Sequence, residues 1–334
     1  VGKEVMLTVS TSNGIEKTIR VSTGISLSDC EVSPIANKPY DGSVYNPVIT
    51  IKNADGEVLT EGTDYTITKP RDMTGAGKKE ITITGKKLYC DTITVTCEII
   101  PQSIKDGTVI INNDKNYTYT GEAITVVPGR GISVSVPMGT TTKSLSATDY
   151  DVTCTNNINA GTATATITGK GNYTGTITKT FQIDGKDLSR LTATLDATNV
   201  EYTGQAICPA VVVKDGQNEL KAGVDYTVTY SNNVDVSSST QRPTVTITGK
   251  GNYAGEKTTN FTINAQTLTD DCVTLSKTDY TYSGKNCKPK VTVRNSNGVK
   301  LKADVDYTIT YPTDMTNIGI KKIVITGKGN YKGT

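Results

Sequence analysis

Glycine-rich stretches that follow strand-like runs are the first residues in this sequence that suggest chemistry. Residues 166–175 read TITGKGNYTG, and a Gly-rich turn after a strand can cradle a phosphate. A phosphate loop opens a helix and carries Ser or Thr after its Gly-Lys. Here similar motifs recur at 82–91, 246–255 and 324–333, and the complete copies are followed by Thr-rich sequence typical of a strand. The stretch therefore predicts a turn that marks each unit of a repeat, not a nucleotide site.

Side chains for catalysis or metal binding do not form a recurring set. The sequence has no His, the commonest general base and metal ligand, and no Trp for stacking a sugar. An Asp recurs in each repeat, but glycoside hydrolysis needs two carboxylates and no second acid recurs with it. Asn232, Asn233 and Asp235 offer oxygens for calcium, which takes about six to eight ligands. A turn satisfied by its own side chains is the alternative, and we expect no catalytic residue, cofactor or metal.

The charge balance argues against two classes of partner. The chain has 35 basic and 33 acidic residues, a net charge of +2, and the basic residues are scattered singly. The chain therefore has no strong positive electrostatic potential to attract nucleic acid or an anionic surface. No apolar run reaches the roughly 18 residues of a spanning helix. We expect no nucleic-acid partner and no membrane insertion in this segment.

Three short motifs, here called the anchors, recur in a fixed order with a period of about 80 residues. A unit of this length is large enough to fold by itself. The anchors are the Tyr-x-Gly motif (Tyr40 and Gly42, Tyr119 and Gly121, Tyr202 and Gly204, Tyr282 and Gly284), the Asp of Asp-Tyr (Asp64, Asp149, Asp225, Asp306) and the Gly of Thr-Gly-Lys (Gly85, Gly169, Gly249, Gly327). They predict repeat one at 25–103, repeat two at 104–184, repeat three at 185–265 and repeat four at 266–334, truncated before its last strand.

Hydrophobic alternation predicts the fold of each repeat. In TVTIT and TNFTI the inward set is Val245, Ile247, Phe261 and Ile263, with Thr on the solvent side. Turn signals separate such runs at the spacing of a β-sandwich, and no helical period is present. We predict an all-β fold, a tandem and elongated array of Ig-like antiparallel β-sandwich domains.

The anchors have structural explanations in this fold. The Gly of Tyr-x-Gly takes a positive φ while the Tyr ring covers an end of the core. The Asp of Asp-Tyr binds backbone amides where the chain enters a strand. In the Gly-Lys-Gly-Asn-Tyr sequence, the glycines and Asn tolerate left-handed conformations and so make a hairpin corner, while Tyr173, Tyr253 and Tyr331 pack inward.

The whole pattern, YTG…DYTVTYSNN…TVTITGKGNYTGTITKTFQI, resembles a repeat of large cell-surface and secreted proteins of Firmicutes, especially gut Clostridia. The resemblance covers about 25–334, and repeat three matches most completely. Residues 1–24, two strands joined by Ser-Asn-Gly, resemble the C-terminal hairpin of a preceding bacterial Ig-like (BIG) domain. The resemblance implies an extracellular array, at the cell surface or secreted, that is not an enzyme.

Two repeats depart from this pattern. Repeat one reads GKKLYCD in place of GKGNYxG and has Cys97 where repeats two and three have Phe181 and Phe261, so we expect its last hairpin to differ in shape. Repeat two carries a longer segment at 126–150, for which we expect an irregular loop.

The sequence has seven cysteines, which can be free thiols or can form disulfides. No CxxC pair supports a zinc site. Cys97 stands where other repeats have Phe and Cys154 where they have Tyr, which suggests small buried hydrophobic residues. Two disulfides also fit an Ig-like topology: Cys30–Cys90 within repeat one, and Cys208–Cys272 between repeats three and four.

The sequence favours a stalk or spacer whose partners are the neighbouring repeats of the same chain. Two alternatives stay open. The array is an adhesin if exposed tyrosines bind a host glycan or protein. It is a filament subunit, through self-assembly, if the open last repeat accepts a strand from another chain.

Overall fold

The computed structural model describes residues 4–22 and 24–334. Over these ranges the chain forms β-strands joined by turns and short 3-10 helices, with no α-helix. No helix within the same ranges has the length and apolar character needed to cross a bilayer.

Contacts divide the chain into two compact units. Unit 1 comprises Val1–Tyr117 and Glu122–Ile183, and unit 2 comprises Thr118–Gly121 and Asp184–Thr334. Repeats one and two thus lie almost entirely in unit 1, and repeats three and four in unit 2.

The first described strands of unit 1, Glu4–Ser10 and Glu16–Ser22, pair as an antiparallel hairpin. Gly14, at φ +84°, lies in the connecting turn. Leu7 stands directly opposite Ile19. The assignment of this hairpin to a preceding domain stays a prediction.

Repeat one packs a four-stranded sheet against short strands on the other side of its core. Ile81 and Ile83 alternate inward along one strand and are fully buried with Leu27 and Ile51. Cys97 is buried as well. The strands are Ile25–Ser26, Glu31–Val32, Lys38–Pro39, Ile51–Lys52, Tyr65–Thr68, Gly77–Gly85, Tyr89–Cys90 and Thr92–Ile100, with a 3-10 turn at Leu27–Asp29.

Repeat two has the same strand order, and one of its hairpins is longer than the equivalent pairings in repeats one and three. Gly131–Met138 pairs antiparallel with Thr141–Ser144, so the expectation of an irregular loop over 126–150 is wrong. The alternating Ile132, Val134 and Val136 are buried, and burying them favours a strand despite the nearby glycines. The remaining strands are Gln102–Ser103, Thr108–Ile111, Tyr117–Thr118, Val127–Pro128, Tyr150–Thr155, Gly161–Gly169, Tyr173–Thr174 and Thr176–Asp184, with a 3-10 turn at Asn112–Asp114.

One pairing corrects the predicted boundary between repeats one and two. Gln102–Ser103 runs parallel to Tyr173–Thr174 in the corner of repeat two. These two residues therefore pair with repeat two, not with repeat one.

Repeat three is a complete sandwich of two sheets over one core. Val245, Ile247, Phe261 and Ile263 are all 2% exposed or less, as the alternation predicts, and they cluster with Val213 of the other sheet. The strands are Lys186–Asp187, Thr192–Leu195, Asn199–Glu201, Val211–Asp215, Asn218–Glu219, Tyr226–Ser231, Thr244–Gly249, Tyr253–Ala254, Glu256–Asn260 and Thr262–Asn264, with a 3-10 turn at Leu188–Arg190.

Repeat four has fewer strands around a smaller core. Val324–Gly327 pairs with Tyr307–Thr310 in a sheet of only two strands among the described residues. The other strands are Gln266–Thr267, Val273–Leu275, Val291–Val293 and Tyr331–Lys332, with a 3-10 turn at Asp270–Cys272.

The predicted fold class, an all-β set of Ig-like sandwiches, is confirmed. Antiparallel sheets pack over buried alternating residues within the repeats. A short parallel pairing then joins the first strand of each repeat to its own corner, as at Lys186–Asp187 with Tyr253–Ala254.

Candidate interaction site at the anchor tyrosines

The Tyr-x-Gly motif is a turn that presents its Tyr at the end of a repeat. The Tyr40 amide donates to the Ile100 carbonyl at 2.8 Å, and the Tyr202 amide donates to Asn264 at 2.9 Å. Each turn is thereby tied to the last strand of its own repeat. The third-position glycines take left-handed φ values, where a side chain is strained: +78° at Gly42, +88° at Gly121, +79° at Gly204 and +70° at Gly284.

The Gly of Thr-Gly-Lys is required for a different reason. A Cβ on Gly249 would lie 2.7 Å from the Ala254 nitrogen, and one on Gly327 would lie 2.7 Å from the Lys332 nitrogen. Gly85 and Gly169 face equally close backbone. No positive φ occurs at these glycines, so close backbone packing, and not a left-handed conformation, is what excludes a side chain there.

The second glycine of the corner is the left-handed one, and the Asn beside it is not. Gly171 and Gly251 have φ +65°, and Lys87 takes φ +56° at the same place in repeat one. Tyr89–Cys90 then pairs with Ile25–Ser26 as the other corners pair. The expected difference in shape of the repeat-one hairpin is therefore wrong.

The Asp of Asp-Tyr serves its own turn. In each repeat one carboxylate oxygen accepts a backbone amide at 2.8 Å, from Thr60 to Asp64, Ser146 to Asp149, Lys221 to Asp225 and Lys302 to Asp306. The carbonyl of the same Asp accepts the amide of the corner Lys, as Asp225 does from Lys250 at 2.9 Å. Each of these Asp residues thus connects the corner to the residue that precedes the Asp-Tyr strand.

The Tyr of a Tyr-x-Gly anchor meets the corner Tyr of the following repeat, and we call this contact the joint. In unit 1, Tyr40 packs edge to face on Tyr173 with ring centroids 5.6 Å apart. In unit 2, Tyr202 packs on Tyr331 at 5.5 Å. The 118–121 segment, which belongs to unit 2, places Tyr119 against Tyr253 at 5.8 Å. Pairs of this kind contribute about 0.5–1.5 kcal/mol beyond the area they bury.

The corner Asn adds polar contacts to the joint. The Ala76 amide of repeat one donates to Asn172 Oδ1 of repeat two at 2.7 Å. The Val236 amide of repeat three donates to Asn330 Oδ1 of repeat four at 2.9 Å, and Asn330 Nδ2 donates to Asp235 Oδ1 at 2.9 Å. Asp235, considered above for calcium, is therefore a joint residue.

The other two residues of that calcium set hold turns. Asn233 Nδ2 donates to the Ile207 carbonyl at 3.0 Å. Asn232 adopts a left-handed φ of +53°. Within the described ranges, no three acidic or thiol side chains group together as a metal site.

Charged neighbours distinguish one joint tyrosine from another. Lys143 Nζ lies 5.6 Å from the Tyr40 ring centroid, and neighbouring Tyr173 and Tyr40 outweigh burial and raise the pKa of Lys143. The Tyr253 hydroxyl donates to Asp215 Oδ2 at 3.3 Å, while Lys186 pairs with that carboxylate at 2.6 Å. Burial and then Asp215 raise the pKa of Tyr253 to about 12.

The cysteines, all of which lie in described ranges, are free thiols. Neither Cys30–Cys90 nor Cys208–Cys272 is bonded. Cys90 donates to the Ile25 carbonyl at 3.5 Å, and Cys208 accepts from Asn233 Nδ2 at 3.5 Å. Both thiols thus take part in local hydrogen bonding.

The sequence motifs identified the tyrosines but not their partners. Tyr173, Tyr253 and Tyr331 are buried, at 3%, 8% and 6% exposure. The sequence pattern predicts these rings in the core of one repeat, whereas each also contacts the Tyr of a Tyr-x-Gly anchor from earlier in the chain. The paired recurrence of Tyr-x-Gly and Asn-Tyr was the available signal. Tyr282, the Tyr of the Tyr-x-Gly motif in repeat four, is 62% exposed.

The strands and cores above define the class, an all-β chain of Ig-like sandwiches. No protein-family profile and no curated protein matches the sequence. Among solved structures, the protocadherin gammaB7 EC3-6 cis-dimer is similar at 9% identity and a TM-score of 0.20, over 88% of this chain and 91% of that chain. The protocadherin gammaB4 extracellular domain is similar at 12% identity and 0.18, over 78% and 56%. Scores this low carry no argument about function or partners.

Proposed function

We propose that this chain is a non-catalytic extracellular stalk or spacer segment of a large bacterial surface protein. The observation that carries the proposal is the recurring joint. In each unit a Tyr-x-Gly anchor and the corner of the next repeat connect successive repeats, through a Tyr–Tyr contact and a corner Asn bonded to backbone.

A joint of this kind limits rotation between repeats. A flexible linker alone leaves neighbouring domains free to reorient. The buried rings and the hydrogen bonds of Asn172 and Asn330 oppose that motion because reorientation would break them. A spacer needs this property, since it must keep what it carries at a fixed distance.

The anchors are otherwise committed to structure, which supports a role without catalysis. The recurring carboxylates bind backbone amides in turns. A catalytic acid needs a reacting group within hydrogen-bond reach and a pKa matched to its task. The anchor acids hold their own turns instead.

Joint rigidity is testable within unit 2. Tyr202→Ala combined with Asn330→Ala removes the ring contact and the Val236 acceptor. Backbone 15N relaxation of amides in repeats three and four should then report more independent tumbling of the two. Tyr282→Ala is the matched control, since it truncates the same motif at an exposed position. Unchanged relaxation in the double variant would contradict the spacer proposal.

A second measurement separates a spacer from an adhesin. A ligand that binds only the folded state raises the melting temperature by mass action. We expect no shift with a panel of host glycans and mucins. A reproducible shift with one of them would favour the adhesin.

A further inference from the structure

Repeat four carries an excess of positive charge that the balance of the whole chain hides. Residues 266–334 contain eleven Lys or Arg residues and six Asp residues, whereas 185–265 contain seven basic and eight acidic residues. Basic residues that are separated in the sequence can meet on one face of a folded sheet. A local excess of this kind concentrates anions near it, even when the whole chain is almost neutral.

Three of these basic side chains share the outer face of one sheet. Lys290 and Arg294 flank the strand Val291–Val293, whose two valines are buried, so the alternation of the strand directs both charged side chains to solvent. Lys300 lies directly opposite Arg294 across an antiparallel bridge. We call Lys290, Arg294 and Lys300 the basic patch, and all three residues are exposed.

The exposure of this face does not depend on what adjoins repeat four. The equivalent positions in repeat three are Ala210, Lys214 and Glu219, and they are exposed as well, although other repeats precede and follow repeat three. The sheet that carries the patch pairs Val273–Leu275 with Val291–Val293, as the equivalent strands pair in repeat three. The face is therefore a regular outer surface of the sandwich.

Repeat three balances its charge at these positions. Lys214 stands directly opposite Glu219, so that pair has opposite charges. The Ala210 amide donates to Asp196 Oδ1 at 2.8 Å, which places a second carboxylate beside the same strand. This face of repeat three therefore has no excess of positive charge.

Repeat four has neither of these carboxylates. Ser276 Oγ accepts the Lys290 amide at 2.9 Å in place of an Asp, and Lys300 stands opposite Arg294 in place of a Glu. Like charges directly opposite each other destabilise a sheet. No ion pair between described residues includes a member of the patch. A bound anion would stabilise this arrangement.

The guanidinium of Arg294 has a fixed orientation that suits an anion. Its Nη1 donates to the Gly298 carbonyl at 2.7 Å. Asn295 Oδ1 closes the turn that carries this carbonyl by accepting the Val299 amide at 2.8 Å. A guanidinium presents several N–H donors in a planar fork that fits phosphate oxygens. The contact to Gly298 thus orients the group and leaves other donors for a ligand.

The surroundings of the patch favour a linear phosphate polymer without bases. Alternate residues on a strand recur at about 6–7 Å, which is comparable with the length of an extended glycerol phosphate unit. Proteins that bind single-stranded nucleic acid add aromatic rings on which the bases stack. The residues that share this face are Thr274, Ser276 and Thr292, and none of the three has a ring.

We propose that the basic patch binds a polyol phosphate polymer of the bacterial envelope, a chain of glycerol phosphate units. The choice of this polymer rests on the proposed location at a bacterial surface. Successive phosphates contact Lys290, Arg294 and Lys300. The contact ties this part of the chain to the envelope, which is a binding function in addition to spacing.

Isothermal titration calorimetry of the full chain with short synthetic glycerol phosphate oligomers at low salt tests this. Lys300→Glu restores the opposite-charge pair of repeat three and should weaken binding about tenfold, because it replaces an attraction by a repulsion. The variant should fold at least as stably as the parent, since it removes a like-charge pair. Lys322→Glu, which precedes Val324–Gly327 on the other sheet of repeat four, makes the same change in net charge. It is the matched control and should bind as the parent does.

The converse test transfers the patch to repeat three. Asp196→Ser, Ala210→Lys and Glu219→Lys together copy the residues of repeat four onto the equivalent face, beside Lys214. The stoichiometry measured by calorimetry should rise from one oligomer per chain to two. A folded variant that still binds a single oligomer would show that these residues do not make a site, and would overturn the proposal.

Nuclear magnetic resonance locates the contact. Amide signals of Val291–Val293 should shift during the titration, while those of Thr244–Gly249 should not. Single-stranded DNA and heparin, at the same concentration of charge, separate the possible polyanions, and tighter binding of either one overturns the assignment.

Two further outcomes would also overturn the proposal. One is a parent chain that does not bind the oligomer, and the other is a Lys300→Glu variant that binds it like the parent. A failure of the spacer proposal would appear separately, in the relaxation of the variant with Tyr202→Ala and Asn330→Ala, because those substitutions leave the patch unchanged.

Discussion

Val245 and Ile247 of repeat three are fully buried, whereas the equivalent Ile323 and Ile325 of repeat four keep part of their surface in solvent. Both repeats have the same corner, with Gly249 and Gly327 each 2.7 Å from a backbone nitrogen as measured from an added Cβ. The comparison separates two levels of structure. Corners form from local sequence, but a closed core depends on the final strand.

The largest expected effect is a loss of core packing. Ile247→Ala should cost about 2–5 kcal/mol because it leaves a cavity in a closed core. Ile325→Ala should cost roughly 1 kcal/mol, since solvent already reaches its site. Hydrogen exchange of Thr244–Gly249 and of Val324–Gly327 measures the two local stabilities separately. Equal costs would mean that the two cores are equally closed.

The next effect should be the same in both repeats. Gly249→Ala and Gly327→Ala each push a Cβ into backbone, which should cost about 1–3 kcal/mol. Exchange at Tyr226–Ser231 and at Tyr307–Thr310 reports the change in each repeat. A much smaller cost in repeat four would show that its corner also depends on the final strand.

A smaller effect is expected at the joint in unit 2. A double-mutant cycle on Tyr202→Leu and Tyr331→Leu should give a coupling of about 0.5–1.5 kcal/mol from edge-to-face ring contact. Hydrogen exchange of repeat-four amides in increasing denaturant measures the free energy of unfolding of the parent, the two single variants and the double variant. Additive effects of the two substitutions would mean that the ring contact does not stabilise the joint.

The smallest effect concerns pH. The pKa of Tyr253 is raised to about 12, so its stabilising contribution is complete below the ordinary tyrosine pKa of about 10 and is lost as pH rises through 12. Asn295, bonded to Tyr331 at 3.4 Å, occupies the position of Asp215 in repeat four. Asp215→Asn should therefore lower the pKa of Tyr253, which ultraviolet titration against a Tyr253→Phe control would measure. An unchanged pKa would assign the shift to burial alone.

The sequence predicts what depends on one strand or one turn. Alternation placed Val245, Ile247, Phe261 and Ile263 in the core because a strand has only two faces. It did not predict the joint, because a buried Tyr can pack on its own core or on another repeat, and periodicity does not distinguish them. The repeated motif identified Gly249 as a required glycine but did not show why it is required. A left-handed φ and a close approach of backbone both require glycine, so the sequence alone does not distinguish them.

The parallel pairing of Asn199–Glu201 with Thr262–Asn264 has a mechanical consequence. Thr262–Asn264 is the last strand of repeat three and Asn199–Glu201 is its third, so tension that reaches them from the two ends of the repeat pulls them in opposite directions along their length. The hydrogen bonds between them are then loaded together in shear, and cannot be unzipped one at a time. Lys38–Pro39 with Thr92–Ile100 forms the same clamp in repeat one. A repeat with this clamp should extend only at a higher force than a sandwich whose end strands unzip one hydrogen bond at a time.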